Sequence, residues 1–218
     1  MRNAPAKAGF FRRNGLTLVL LVLFFLSWVG HAYMGWKTSR LDSHENIRPV
    51  LSGWAYLRSS EFWSTTFENW ESEFLQMAIF VVLTVGLRQR GSSESKPLED
   101  ENGDEEKKYP KRYFKRSPFL RALYERSLSI ALFVLFALSF LGHAYYSWVR
   151  HQGDEIAHGE TPATFGGHLI SPQLWFESFQ NWQSEFLSVA VLVVLTIFLR
   201  HRGSAQSKAV DAPHDRTE

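Results

Sequence analysis

The chain contains one sequence written twice. Gly30-His31-Ala32-Tyr33 returns as Gly142-His143-Ala144-Tyr145, and Asn69-Trp70-Glu71-Ser72-Glu73-Phe74-Leu75 returns as Asn181-Trp182-Gln183-Ser184-Glu185-Phe186-Leu187, both at a spacing of about 112 residues (143 minus 31). The register holds without a gap from Leu16/Leu128 through Trp63/Trp175 to Lys96/Lys208, with roughly 35 of about 80 paired positions identical. Whatever fold one half adopts, the other must tolerate. Tandem duplication of one helical hairpin is the simplest account.

Segregation of the apolar residues says what kind of hairpin. Leu16 to Met34 holds no formally charged residue and one ionisable group, His31; Leu128 to Trp148 repeats this with His143. Each run is long enough to cross about 30 Å of hydrocarbon at ~1.5 Å per residue. The second run of each copy, Phe74 to Leu87 and Phe186 to Leu199, is shorter. Counting back to Trp70 and Trp182 gives about 18 residues, a short span with an aromatic anchor.

Charge sets the topology. Basic residues precede the first run (Arg2, Lys7, Arg12, Arg13), follow the second (Arg88, Arg90), precede the third (Lys107, Lys108, Lys111, Arg112, Lys115, Arg116, Arg121) and follow the fourth (Arg200, Arg202, Lys208). The intervening segments lean acidic, with Asp42, Glu45, Glu61 and Glu68, then Asp154, Glu155, Glu160 and Glu177. The positive-inside rule places both termini and the centre in the cytoplasm, so each copy crosses twice. The expectation is an all-α membrane protein of four transmembrane helices. Two parallel repeats form it, with a pseudo-two-fold axis along the membrane normal. Its parts are a cytoplasmic N-terminus (1–15), repeat 1 (16–91), a charged linker and basic juxtamembrane segment (92–126), repeat 2 (127–203) and a cytoplasmic tail (204–218). Gly30-His31-Ala32 also resembles a signal-peptide cleavage site, but its copy at Gly142-His143-Ala144 lies in mid-chain, which argues for a retained first span.

Outside the runs, Ser92 to Lys108 is polar and acidic and reads as a tether with little to bury. Between Pro110 and Pro118 and onward to Arg126, cations alternate with Tyr113, Phe114, Phe119, Leu120, Leu123 and Tyr124, which suits anionic lipid headgroups at the interface. No recognition motif for nucleic acid accompanies that charge. Ser171-Pro172 has the form of a helix start, and Trp175, Phe179, Trp182 and Phe186 then recur at helical steps, as do Trp63, Phe67, Trp70 and Phe74. The short spans therefore extend outward as amphipathic helix. Tyr33 and Tyr145 join Asn69, Trp70, Asn181 and Trp182 as polar or aromatic residues that recur at equivalent positions of the two copies.

One constellation carries a functional question. In an antiparallel hairpin, His31 lies ~24 Å above the inner boundary and Glu73 ~22 Å, and duplication adds His143 and Glu185 at the same depth. Asn69, Glu73, Gln76, Phe80 and Thr84 share one helix face, with Asn181 the counterpart of Asn69, and the expectation turns that polar stripe inward. The cluster admits four readings: a structural His–Glu pair within each hairpin, a proton- or solute-coupled path, a metal site of two His and two Glu, or haem held between His31 and His143. No cofactor is expected on the first. With no cysteine there is no disulfide or thiolate chemistry. P-loop, nucleotide-binding glycine, His-Glu-x-x-His and Gly-x-Ser-x-Gly patterns are absent, so no catalytic residue is assigned.

The series Arg12-Arg13-Asn14-Gly15-Leu16, Gly30-His31-Ala32-Tyr33, Glu68-Asn69-Trp70-Glu71-Ser72-Glu73-Phe74-Leu75-Gln76 and Leu87-Arg88-Gln89-Arg90-Gly91-Ser92 resembles a bacterial membrane-protein family known as domain of unknown function 6766. The resemblance implies a bacterial inner-membrane location and a duplicated four-helix fold, and it brings no activity or site residues with it. The reading that follows is a multi-pass scaffold or binding module in the lipid bilayer, able to self-associate. A transporter or channel subunit using the His–Glu cluster is the alternative.

Overall fold

Long apolar runs without interior proline have one economical way to satisfy their backbone in hydrocarbon, which is to coil into helix. The computed structural model describes residues 10–45, 50–97 and 118–217, and among these the regular structure is entirely helical. The elements are α1 (Phe10–Glu45), α2 (Gly53–Tyr56), α3 (Ser60–Gly86), α4 (Pro118–Glu125), α5 (Ser127–Ala157), α6 (Phe165–Leu169) and α7 (Pro172–Phe198). Three stretches are long and apolar enough to cross a membrane: Arg13–Leu41, Ser127–Ala157 and Pro172–Phe198. α3 matches α7 at 27 residues, ~40 Å, but carries four glutamates in its first half (Glu61, Glu68, Glu71, Glu73), which lowers its mean hydropathy. The N-terminal segment before Phe10, most of the acidic linker and the basic stretch up to Ser117 lie outside the described residues.

Two compact units result, Met1–Trp63 and Ser64–Glu218. In the first, Trp28 meets Phe62 and Trp63 (ring centroids 5.8 and 6.4 Å), and His31 lies 5.4 Å from the Phe62 ring. Trp36 Nε1 donates to Leu51 O at 2.9 Å, tying the chain that follows α1 back to that helix. Ser52 caps the short α2, accepting from Ala55 N. Tyr56 is buried, and its hydroxyl occupies the space a side chain at Gly35 would need. Burial, and then the charge of Glu61, push the Tyr56 phenol up to about 12.

The second unit repeats several of these devices. Trp148 Nε1 donates to Ala163 O at 2.8 Å, and Thr164 caps α6 by accepting from Gly167 N. Ser171 caps α7 by accepting from Leu174 N, with Pro172 in the first turn where a missing N–H costs nothing. Small residues, Ala78, Ala144, Ser72, Ser147 and Ser178, are buried along the helices and allow close approach. Gly142 serves the same end, since a Cβ there would stand 2.8 Å from the Phe67 ring, which stacks on Tyr146 at 5.9 Å.

Burial is inverted relative to a water-soluble fold. Leu16, Val19, Leu20, Val22, Leu26 and Val29 on α1 are exposed, as are Leu128, Val134, Leu138 and Leu141 on α5 and Leu187, Val194, Leu195 and Phe198 on α7. Glu71, His143, Ser147 and Ser178 are wholly buried. At about 25 cal/mol per Å² an apolar exterior of this extent is strongly unfavourable in water and natural in hydrocarbon.

Candidate functional site

α5 turns His143, Ser147 and Arg150 onto one face at steps of four and three, the helical repeat that aligns side chains above one another. α7 offers Gln173, Glu177 and Asn181 at steps of four, with Ser178 beside them, and α3 offers Glu68 and Glu71. These faces meet. His143 Nδ1 lies 3.1 Å from Glu71 Oε2, and its Nε2 lies 3.1 Å from Glu177 Oε2. Ser178 Oγ donates to Glu71 Oε1 at 2.8 Å. Glu177 is held by four donors: His143 and Ser147 Oγ (2.8 Å) on Oε2, and Arg150 Nη2 (2.8 Å) and Gln173 Nε2 (2.9 Å) on Oε1. Asn181 Nδ2 donates to Glu68 Oε1 at 2.6 Å.

Because both ring nitrogens of His143 face carboxylate oxygens, the group holds a proton on each shared edge, as an imidazolium between two carboxylates or with one proton moved to a carboxylate. Arg150 adds a second cationic partner, and Glu68, which accepts from Asn181, is a third carboxylate within electrostatic reach of His143. The chain of contacts continues outward, since His168 Nε2 lies 3.2 Å from Ser147 Oγ and the His151 and His168 rings are 5.3 Å apart. Burial, followed by the charge of His151, lowers the His168 pKa below the ordinary histidine range. Ser147 Oγ gives its hydrogen to Glu177 and so is placed to accept from His168 Nε2.

Where the sequence places its candidates is instructive. His143 is at the centre of the network, while the carboxylates on it are Glu71 and Glu177. Glu73 is exposed, about 200° around α3 from Glu71, and Glu185 lies two turns, ~12 Å, further along α7 than Glu177. Glu73 and Glu185 are within electrostatic reach of each other. The buried face of α3 carries Ser64, Glu71, Leu75 and Ala78, whereas Asn69 and Glu73 stand on the exposed side. Of the stripe expected to turn inward, Asn69 and Glu73 are thus rotated to the exposed side, whereas Gln76, Phe80 and Thr84 are half-buried and line a groove against α7. Asn69 returns its amide to Thr65 O at 2.7 Å. His31 belongs to the first unit and packs on Phe62. Trp70 is edge-on to Phe67, and Trp182 lies among Phe136, Trp175 and Phe179 with its indole N–H buried and unpartnered. Tyr33 and Tyr145 are half exposed beside Trp36 and Trp148, and Lys37 lies over the Tyr33 ring.

The residues missed share a property: they differ between the two copies. Glu71 stands opposite Gln183, Glu177 opposite Thr65, Ser147 opposite Gly35 and Arg150 opposite Thr38. A search for residues common to both halves passes over them. The available signal was the run His143, Ser147, Arg150 on one face of an apolar helix, where polar groups are unfavourable unless partnered.

Among the described residues no group of three or more His, Asp or Glu is arranged to hold a metal ion. His143 has both ring nitrogens engaged, so ligation there requires displacing a carboxylate. No curated protein and no solved structure matches the chain. A family model matches residues 7–218, and by that match the chain belongs to the family described as domain of unknown function (DUF6766).

Proposed function

We propose that this protein is a non-enzymatic, multi-pass scaffold of the bacterial inner membrane, with four spans from two tandem hairpins and both ends in the cytoplasm. Its buried Glu71–His143–Glu177–Arg150 network acts as a clasp joining α3, α5 and α7. The observation that carries this reading is the saturation of that network: every charge has a counter-charge at hydrogen-bond distance, with four donors on Glu177. A transport site needs a group left open for its cargo. Support for the tandem organisation comes from matched details, including α3 and α7 of equal length, Trp36 and Trp148 each bonding the outer loop, and Gly91 and Gly203 both at φ 81°. The inverted burial supports the bilayer, and the basic ends support the orientation.

The test is proton flux in proteoliposomes alongside thermal stability in detergent. A scaffold conducts no more than empty liposomes, and Glu177→Gln lowers its melting temperature. Flux above background that disappears in Glu177→Gln would instead establish the transporter reading. That second reading has one specific observation in its favour: His168, Ser147, Glu177, His143, Glu71 and Ser178 form a continuous hydrogen-bonded chain.

A further inference from the structure

The exits of α3 and α7 share the pattern Leu-Arg-x-Arg-Gly-Ser-x-x-Ser-Lys, Leu87 to Lys96 and Leu199 to Lys208. In both, one guanidinium nitrogen closes the helix end. Arg88 Nη1 donates to Thr84 O, Val85 O and Leu87 O, and Arg200 Nη1 donates to Thr196 O, Ile197 O and Leu199 O. The remaining donors differ. Arg200 gives Nε to Ala209 O and Nη2 to Ala212 O, both in the C-terminal tail. Arg88 Nε and Nη2 have no partner among the described residues, and Arg88 lines an open groove of about 410 Å³ between α3 and α7.

The groove's walls are Ile79, Leu83, Val189 and Val193, with Ala190 among them, and Arg88, Gln89, Glu94 and Ser95 form the polar rim at one end. Its volume falls within the ~300–1,000 Å³ of small-molecule sites. Leu83, Leu87 and Val194 are exposed along it, so it opens to the apolar exterior. The rim pairs one cation with one anion. Glu94 is oriented by the Gln206 amide, and burial raises its pKa.

We propose that this groove binds one aminophospholipid, with an acyl chain along the Ile79–Val193 walls, the phosphodiester on the unpartnered nitrogens of Arg88 and the headgroup ammonium on Glu94. A phosphate suits the free edge of a guanidinium, which offers two N–H groups side by side. Hydrocarbon walls at the end of membrane helices match a chain whose headgroup reaches the rim. The balanced rim favours a zwitterion over a lipid of net negative charge. The second copy offers no equivalent, because the tail already occupies Arg200. The inference rests on the membrane reading above.

Native mass spectrometry of the full chain in mild detergent tests it, using phosphatidylethanolamine, phosphatidylglycerol and diacylglycerol of identical acyl chains, with melting temperature as the check on folding. One phosphatidylethanolamine per chain is expected, with binding about tenfold weaker in Arg88→Gln, the effect of losing a charge-assisted hydrogen bond. Ala190→Trp, which fills the groove and leaves Arg88 untouched, is expected to abolish it. Equal binding of the three lipids, or retention unchanged in both variants, overturns the proposal. So does binding that appears only after residues 98–117 are deleted, which assigns the groove to the linker. Resistance to alkaline extraction from membranes reports separately on the membrane reading: an extractable protein defeats that reading, and an integral protein that retains no lipid defeats only the site.

Discussion

At the scale of single residues, the second unit is organised by one imidazole. Removing Glu177 leaves His143, Arg150 and two hydroxyl or amide donors without their acceptor in an apolar setting, whereas glutamine keeps the shape and part of the hydrogen bonding. Glu177→Ala is therefore expected to cost about 3–5 kcal/mol and Glu177→Gln less, read as loss of melting temperature in detergent. A second pair separates the copies. Gly35 faces Tyr56, and the corresponding Ser147 faces His168, a smaller ring whose partner supplies the missing atoms. His168→Tyr alone should crowd Ser147 and destabilise by about 1–3 kcal/mol, and Ser147→Gly/His168→Tyr should recover part of that loss while still lacking the hydroxyl on Glu177. The titration of His168 has a definite sign. Its folded pKa lies below 6.5, so the unfolded chain binds more protons in the window between the two values; its contribution is intact above pH 6.5 and is lost as pH falls through the folded pKa. A stability profile from pH 8 to pH 5 should show this loss in the wild type and a smaller one in His168→Gln.

Elements are finished by local devices that a reader of the chain can recognise, and their partners by tertiary contacts that a reader cannot. Ser171-Pro172 begins α7 as its residue types require, and the Leu-Arg-x-Arg-Gly pattern ends α3 and α7. What the tail does there is not visible locally. Lys208 is buried, with its ammonium on Pro213 O, His214 O and Arg216 O at 2.9, 3.3 and 2.7 Å. The tail then reaches the first exit, where Arg90 Nε donates to Asp215 O, Gly91 N donates to Thr217 Oγ1, and a Cβ at Gly91 would strike His214 O. Arg200→Ala frees both the helix end and this tail, whereas Arg88→Ala frees the helix end alone. The expected outcome is a larger loss of stability for Arg200→Ala, about 1–3 kcal/mol, accompanied by protease cleavage between residues 204 and 217.

For the whole molecule the deciding question is the course of α3. Three helices qualify as spans by length and apolar composition, and α3 falls short because Glu61, Glu68, Glu71 and Glu73 load its first half. Two of those carboxylates are not lipid-facing charges: Glu71 is wholly buried against His143 and Ser178, and Glu68 accepts from Asn181. A charge paired inside the protein weighs far less against insertion than the same charge facing hydrocarbon. The chain has no cysteine, so single-cysteine labelling has no background. Arg58→Cys and Gln89→Cys are expected to react with an impermeant maleimide from opposite sides of the membrane, and labelling from the same side would leave α3 uncrossed.

The helical runs and the caps that begin and end them are properties of neighbours in sequence, and each was legible there because local sterics, hydrogen bonding and hydropathy depend on nearby residues. The identity of His143 as a central group was legible for the same reason, as an ionisable side chain in an apolar run. Its partners were not. Whether Glu71 or Glu73 faces inward depends on the rotation of α3 about its axis, and a helix with polar groups on several faces does not declare that rotation. Packing against α5 and α7 decides it, through the small side chains that let the backbones approach and the two carboxylates that reach one imidazole.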